Sequence, residues 1–180
     1  MSAEAKSPAV FFDRDGTLME DVDYCSDPAK VFPHPGVHDS LRRLKAAGFK
    51  NIIITNQSGI GRGYMTLEQY RAVEAEVTRQ IGAELIEATY FCPDAPWEDS
   101  TRRKPQPGMV LEAAADHGID LARSFFVGDK ASDIECGRRA GTRTVFVIMG
   151  SRETPETASP DFVAKDIVAV ADIILKNADA

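Results

Sequence analysis

The sequence has 180 residues, 43% of them hydrophobic and 27% charged, which is the composition of an ordinary globular protein of one domain spanning 1–180, with a core over about 9–177. The net charge of −7 excludes nucleic acid as the main partner, because no basic surface is available to neutralise phosphates. No apolar stretch approaches the roughly 20 residues of a membrane span, and the first eight residues lack the apolar centre of a signal peptide. With three irregularly spaced cysteines, a disulfide framework is not expected, and we predict a cytoplasmic protein.

Apolar runs alternate with amphipathic stretches along the chain. The runs predict strands over 9–12, 51–55, 88–92, 124–128 and 144–148. Helical spacing of apolar residues predicts helices over 37–47, 67–81, 108–117, 132–140 and 166–176. Such alternation indicates an α/β fold, a doubly wound parallel sheet with helices on both faces. The irregular segments 19–36 and 93–107 are long enough to carry substrate contacts but too short to form a separate domain.

Two carboxylates follow the first predicted strand in the sequence Asp13-Arg14-Asp15-Gly16-Thr17. Like charges this close raise each other's energetic cost unless a cation sits between them. Open α/β sheets place their sites at the C-terminal ends of parallel strands, where these residues are expected. The pattern favours a metal-assisted centre in which one carboxylate attacks and the other moves protons. A solvated, aspartate-rich turn remains the alternative for this motif taken alone.

Polar residues also follow the second strand and precede the third helix. Thr55, Asn56, Gln57 and Ser58 would offer hydroxyl and amide donors suited to phosphate oxygens, although such residues also serve as turn and helix-capping groups. Arg62 adds a cation on the glycine-rich loop that follows. Upstream of the third helix stand Arg103 and Lys104, and a lysine there could neutralise both an attacking carboxylate and a phosphoryl group.

The fourth predicted strand ends in Gly128, Asp129 and Lys130, and Asp133 follows four residues after Asp129. Asp129 is therefore expected at the same edge of the sheet as Asp13. Asp133 would lie in the first turn of the next helix, where the helix dipole also favours an acidic residue for purely structural reasons.

Taken in order, these four motifs resemble those of the haloacid dehalogenase (HAD) superfamily of phosphatases, over about residues 9–150. The runs 12–18, 55–63 and 103–109 resemble its small, cap-less branch, which includes heptose bisphosphate phosphatases and histidinol phosphatases. The run through Ser58, Arg62 and Tyr64 is closer to the former. The resemblance implies a HAD-like Rossmannoid fold without a cap domain and a small phosphorylated sugar or alcohol as substrate. It also implies an open site and a monomer.

The resemblance further implies a mechanism and a Mg²⁺ cofactor. Asp13 would attack phosphorus to form an aspartyl-phosphate, and Asp15 would serve as general acid and then general base. Asp13, the backbone carbonyl of Asp15 and Asp129 would hold Mg²⁺. Thr55 and Lys104 would surround the phosphoryl oxygens as catalytic groups. The remaining expected site residues are Asn56, Gln57, Ser58, Arg62 and Arg103 on the substrate, with Lys130 and Asp133 in support.

One departure from the branch concerns zinc. Relatives commonly hold a structural zinc by a Cys-x-His pair and a later Cys-x-Cys pair, but here Cys92 is followed by Asp94 where the histidine would stand. The stretch 95–102 contains no cysteine. One thiolate cannot build a tetrahedral Cys/His site, so we predict no structural zinc.

Two other classes of protein share some of these features. A signalling receiver domain also uses an acidic Mg²⁺ pocket, but it carries its phospho-accepting aspartate on a middle strand, and here no aspartate ends the second strand. A catalytically inactive binding module is disfavoured because every expected catalytic residue is present. Among enzymes, heptose 1,7-bisphosphate 7-phosphatase activity is the leading hypothesis, and hydrolysis of histidinol phosphate or another polyol phosphate is the alternative.

Overall fold

The computed structural model describes residues 6–178, which form one six-stranded sheet flanked by helices. The strands are β1 Ala9–Phe12, β2 Lys50–Asn56, β3 Ala88–Cys92, β4 Phe125–Gly128, β5 Arg143–Val147 and β6 Phe162–Ala164. The α-helices are α1 Val37–Ala46, α2 Leu67–Ile81, α3 Gly108–His117, α4 Ala131–Ala140, α5 Pro155–Ala158 and α6 Ile167–Lys176. No helix within the described range is long and apolar enough to cross a lipid bilayer.

Every neighbouring pair of strands in the sheet is parallel, and the strand order is β3-β2-β1-β4-β5-β6. The chain moves outward from β1 through β2 to β3 and then returns to the other side of β1 to form β4. This reversal creates a crevice at the C-terminal ends of β1 and β4, the place where open α/β sheets bind ligands. The predicted doubly wound parallel sheet is confirmed.

The central strand β1 is buried on both faces, and the core divides accordingly. Val10 and Phe12 point to the side covered by α1, α2 and α6, whereas Ala9 and Phe11 point to the side covered by α3 and α4. Successive side chains of a strand alternate between faces, so a strand covered on both sides must be apolar at every position. The side chains of β1 are all completely buried, and this holds the strand end rigidly beneath the crevice.

All five predicted strands and all five predicted helices are present, and each of their bounds either coincides with the prediction or differs from it by one residue. A capping box begins α2: Gln69 N donates to Thr66 Oγ1 at 3.1 Å, and Thr66 N donates to Gln69 Oε1 at 2.8 Å. The sequence did not predict β6 or α5. The strand has three residues with Val163 45% exposed, and the helix has four, so neither carries a recognisable hydrophobic period.

Helix α4 lies unusually close to β4, and Gly137 is the reason. A Cβ atom at this glycine would lie 2.5 Å from Phe126 Cβ and 3.0 Å from Thr144 Cγ2. Gly128, at the end of β4, is similar: a Cβ there would lie 2.2 Å from Asp133 Cβ. These two glycines let the helix press its Asp133-bearing first turn against the end of the strand.

We expect Gly137→Ala to destabilise the protein, although alanine is intrinsically the better helix former. The new methyl group overpacks the interface between α4 and β4, at a cost of about 1–3 kcal/mol, which corresponds to a fall in Tm of roughly 3–10 °C. Thermal denaturation followed by circular dichroism measures this. The control is Arg139→Ala on the same helix, where an exposed ion pair with Glu135 and an exposed hydrogen bond to Gln106 are lost. Equal Tm values for wild type and Gly137→Ala would contradict the packing argument.

Candidate active site

Three buried carboxylates converge at the crevice between β1 and β4. Asp13 follows β1, Asp129 follows β4, and Asp133 lies in the first turn of α4. One oxygen from each lies within 4.8 Å of the others, and the three residues are at most 4% exposed. Asp13 and Asp129, predicted at one edge of the sheet, are thus brought together. Asp133, predicted in a supporting role, belongs to the same cluster.

Lys104 reaches into this cluster from the segment before α3. Its Nζ donates to Asp13 Oδ1 at 2.6 Å and to the carbonyl of Ile54 at 2.9 Å, and it forms an ion pair with Asp133 Oδ1 at 2.7 Å. Its side chain is 2% exposed. Asn56 fixes the backbone of this residue, because its amide donates to Lys104 O and accepts from Lys104 N. The lysine therefore bridges two carboxylates from different elements.

The carboxylates differ in their affinity for protons. Burial opposes ionisation of Asp13, but Lys104 and Lys130 outweigh it and hold its pKa below the ordinary value. Burial, reinforced by the charges of Asp13 and Asp133, raises the pKa of Asp129 to about 9. Burial and the charge of Asp13 likewise raise the pKa of Asp133 to about 6, against the influence of Lys104. Full ionisation of the three carboxylates would place three negative charges beside two lysines, and the raised pKa values of Asp129 and Asp133 reflect this excess of negative charge.

The donor set fits a hard divalent cation. Asp129 Oδ2 is buried without a hydrogen-bond partner among the described residues, while Thr17 Oγ1 donates to the other oxygen, Asp129 Oδ1, at 3.1 Å. Gly16 passes so close that a Cβ there would lie 2.4 Å from Asp129 Oδ2, and its φ of +88° suits glycine. An unpartnered carboxylate oxygen facing a second carboxylate is the environment that Mg²⁺ satisfies, since it prefers oxygen ligands.

The second carboxylate of the motif, Asp15, faces away from this cluster. Arg14 donates to both of its oxygens at 3.1–3.3 Å, and Gln57 Nε2 donates to Asp15 Oδ2 at 2.9 Å. The same Gln57 amide donates to Thr55 Oγ1 at 2.8 Å. Gln57 therefore joins Thr55 to Asp15, and its amide is already engaged by these two side chains.

A small hollow of about 50 Å³ opens between the two aspartates of the motif. Its walls are formed by Asp13, Asp15, Asn56, Lys104, Lys130, Ser132 and Asp133. A larger cleft of about 320 Å³ shares Asp15, Asn56 and Lys130 with it and adds Gln57, Ser58, Asp21, Asp23, Arg152 and Glu153. Of the residues predicted as catalytic or supporting, all but Thr55 line the hollow, and the Asn56–Ser58 segment lines the cleft.

The two predicted arginines lie on the loops around these cavities. Arg62 is stacked between Tyr24 and Trp97, with its guanidinium carbon 5.9 and 5.2 Å from the ring centroids. Arg103 Nη1 donates to the carbonyl of Asp94 at 3.1 Å. Neither guanidinium has a carboxylate within ion-pair distance among residues 6–178.

The loop after β3, where relatives were expected to hold zinc, is fastened by hydrogen bonds. Cys92 Sγ lies 3.3 Å from Asp94 Oδ2 and 3.6 Å from Ser100 Oγ. Ser100 Oγ also accepts from the backbone of Arg103 at 3.1 Å. On the other side, Gly61 N donates to Pro93 O at 2.9 Å. A serine and an aspartate therefore stand beside the lone cysteine and tie the loop together.

Sequence reasoning missed the roles of Arg14 and Thr17, which lie inside the first motif. Arg14 is completely buried, and its carbonyl accepts from the backbone N–H groups of residues 17, 18 and 19. Thr17 is also completely buried and contacts Asp129. The sequence offered one signal, an arginine between two aspartates directly after an apolar run. An arginine in such a place is buried only if it is paired, which would have indicated a buried ion pair.

Comparison with known proteins gives a consistent family. Residues 101–170 match the model of the HAD-hydrolase-like family. The chain is 36% identical to the D-glycero-D-manno-heptose-1,7-bisphosphate 7-phosphatase of Thermosynechococcus vestitus, covering 93% of this chain and 95% of that protein. It is 35% identical to the D-glycero-beta-D-manno-heptose-1,7-bisphosphate 7-phosphatase of Helicobacter pylori strain 26695, covering 92% and 96%.

A solved structure agrees with this match. The D,D-heptose 1,7-bisphosphate phosphatase of B. bronchiseptica, crystallised with magnesium and phosphate, has a TM-score of 0.85 and 29% sequence identity. The match covers 94% of this chain and 99% of that one. Because the curated relatives exceed 30% identity along nearly the whole sequence, the chain belongs to the phosphatases of the HAD superfamily.

Proposed function

We propose that the protein is a Mg²⁺-dependent phosphomonoesterase that removes the 7-phosphate of D-glycero-D-manno-heptose 1,7-bisphosphate through an aspartyl-phosphate on Asp13. The observation that carries the proposal is the ion pair between Asp13 and Lys104 in a hollow that Asp15 also lines. Relatives with heptose bisphosphate phosphatase activity in their names match nearly the full chain.

Asp13 is the nucleophile in this proposal because its environment keeps it ionised. The Lys104 ammonium orients the carboxylate and would also face the oxygens of the phosphoryl group, where charge spreads in the transition state. The Thr55 hydroxyl accepts from Gln57, so its own O–H remains free to donate to a phosphoryl oxygen.

Asp15 is the general acid and base. Its carboxyl proton passes to the departing sugar oxygen as the bond from that oxygen to phosphorus breaks, which leaves Asp13 phosphorylated. Asp15 then removes a proton from the water that attacks the aspartyl-phosphate, and inorganic phosphate is released. Microscopic reversibility requires that the same group serve both steps, and Asp15 is the carboxylate of the hollow that has no ion pair with Lys104.

Asp13, the Asp15 backbone carbonyl and Asp129 would hold Mg²⁺, with Asp133 holding Lys104 and the turn after Asp129 in place. The ion supplies positive charge that lets an anionic nucleophile approach an anionic phosphoryl group. Lys130 would add positive charge next to this cluster. Its Nζ lies 3.4 Å from Asp21 Oδ2, and its side chain lines both the hollow and the cleft.

The rest of the substrate would occupy the larger cleft. Carboxylates such as Asp21 and Asp23, with Ser58, suit the hydroxyl groups of a sugar. Arg62 and Arg103, which have no carboxylate partner among the described residues, are the cations available for a second phosphate. We further propose that the enzyme acts in the cytoplasm as a single-domain monomer, without nucleic acid or membrane partners.

Asp13→Asn should abolish release of phosphate, because the amide is not a nucleophile, while the fold is retained. Phosphate release from the heptose bisphosphate and Mg²⁺ binding by calorimetry are the measurements. Asp39→Asn, which changes an exposed aspartate on α1, is the matched control and should keep full activity. Full activity in Asp13→Asn would end the proposal.

Metal analysis tests the cofactor assignment. Dialysis against a chelator should remove activity, and added Mg²⁺ should restore it, because no protein cation lies against Asp129 Oδ2 within residues 6–178. Elemental analysis of purified protein should find no stoichiometric zinc, since the Cys92 region offers one thiolate. Activity that survives exhaustive chelation, or one zinc per chain, would contradict these respective expectations.

Histidinol phosphate or another small polyol phosphate is the second candidate substrate. The carboxylates of Asp21, Asp23 and Glu153 line the cleft beside Arg152 and Lys130, and an acidic wall also suits an amino group. A panel of phosphorylated sugars, polyols and histidinol phosphate, compared by kcat/KM with Mg²⁺, separates the two. We expect kcat/KM for the heptose bisphosphate to exceed that for histidinol phosphate by about tenfold or more. A contact with the second phosphate that contributes about 1.4 kcal/mol gives this factor. Histidinol phosphate as the best substrate would favour the alternative.

A further inference from the structure

Arg14 is an arginine with no access to solvent, directly beside the carboxylate that moves protons. Its guanidinium donates to Asp15 from one side and, through Nη1, to Glu74 Oε2 at 3.0 Å on the other. The side chain is 0% exposed, against 17% for Asp15 and 15% for Glu74. The ring of Tyr70 lies under it, 5.7 Å from the guanidinium carbon.

Glu74 links this arginine to the body of the fold. It lies in α2, and its other oxygen, Oε1, accepts from Thr89 Oγ1 of β3 at 2.8 Å. A continuous chain of hydrogen bonds therefore runs from the sheet through Glu74 and Arg14 to Asp15. On its far side Asp15 meets Gln57, which is 5% exposed.

The arrangement fixes the Asp15 side chain in one orientation. A short carboxylate at the edge of a cleft would otherwise sample several rotamers, and ordering it costs free energy on every catalytic cycle. The rigid fork of an arginine is well suited to this role, since it binds a carboxylate at both oxygens. A buried arginine is in turn tolerated only when it is paired, and Glu74 provides the second carboxylate.

We propose that Arg14 and Glu74 are positioning residues that hold Asp15 in the geometry required for proton transfer to the leaving oxygen. The inference rests on the proposed phosphatase function. Neither residue touches the reacting atoms; they act through Asp15. In the step concerned, the phosphorus–oxygen bond breaks, its electron pair stays on the leaving oxygen, and that oxygen takes the proton from the Asp15 carboxyl group.

A series of para-substituted phenyl phosphates tests the role without changing the size of the bound ring. Leaving phenolates of low basicity depart unassisted, whereas more basic ones need the proton. The parameter kcat/KM covers only the steps up to loss of the leaving group, so hydrolysis of the aspartyl-phosphate does not obscure the result. The slope of log(kcat/KM) against the pKa of the leaving phenol therefore measures proton donation by Asp15.

Glu74→Gln is the main variant, because it retains the size of the side chain but removes the negative charge that pairs with the guanidinium. We expect the slope to become steeper, with kcat/KM for unsubstituted phenyl phosphate lowered about tenfold or more, a fraction of the 10²–10⁴ that general acid catalysis contributes. 4-Nitrophenyl phosphate should lose less than about threefold, since its leaving group needs little protonation. Arg14→Lys should steepen the slope in the same way.

Glu76→Gln is the matched control, since Glu76 lies on the same helix and pairs with Arg79 in solvent. It should leave the slope unchanged. An unchanged slope in both Glu74→Gln and Arg14→Lys, whether all rates fall together or none falls, would overturn the proposal, because a purely structural role lowers every substrate alike. Failure of the wild type to release phosphate both from the heptose bisphosphate and from every member of the series would instead contradict the proposed function.

Discussion

The ion pairs of Lys104 with Asp13 and Asp133 are the interaction on which the rest of the site depends. Three carboxylates at a buried strand edge repel one another, and among residues 6–178 Lys104 is the one cation that lies within hydrogen-bond distance of two of them. Against the effect of burial, Lys104 and Lys130 hold the pKa of Asp13 below its ordinary value, whereas burial and the neighbouring carboxylates raise the pKa of Asp129 to about 9 and that of Asp133 to about 6. The difference among these chemically identical side chains therefore arises from their burial and from the positions of Lys104 and Lys130.

The two aspartates of the first motif are separated in function by the turn that follows β1. Gly16 and the carbonyl of Arg14 bend the backbone, so Asp13 enters the lysine-bearing cluster while Asp15 is directed to Arg14 and Gln57. Two carboxylates one residue apart can thus occupy different electrostatic environments. A nucleophile and a proton donor in a single mechanism require this difference.

Much of the fold and of the site could be predicted from the sequence, because strand ends are local and parallel strands share one edge. Asp13, Thr55 and Asp129 each follow an apolar run directly, so their convergence follows from the topology. The position of Lys104 could not be derived in this way, since it comes from a loop, and the resemblance to HAD phosphatases supplied its role. The contact of Arg14 with Glu74 joins residues 60 positions apart, and no periodicity indicates it.

The close approach of Gly16 to Asp129 and of Gly128 to Asp133 means that the acidic cluster tolerates fewer amino-acid substitutions than the outer loops do. At both glycines a single methyl group would collide with a carboxylate-bearing side chain. The outer loops are roomier, and Trp97 is 70% exposed there. Substitutions that alter substrate preference are therefore expected in the outer loops, whereas close packing around the acidic cluster leaves no space for larger side chains at Gly16 and Gly128.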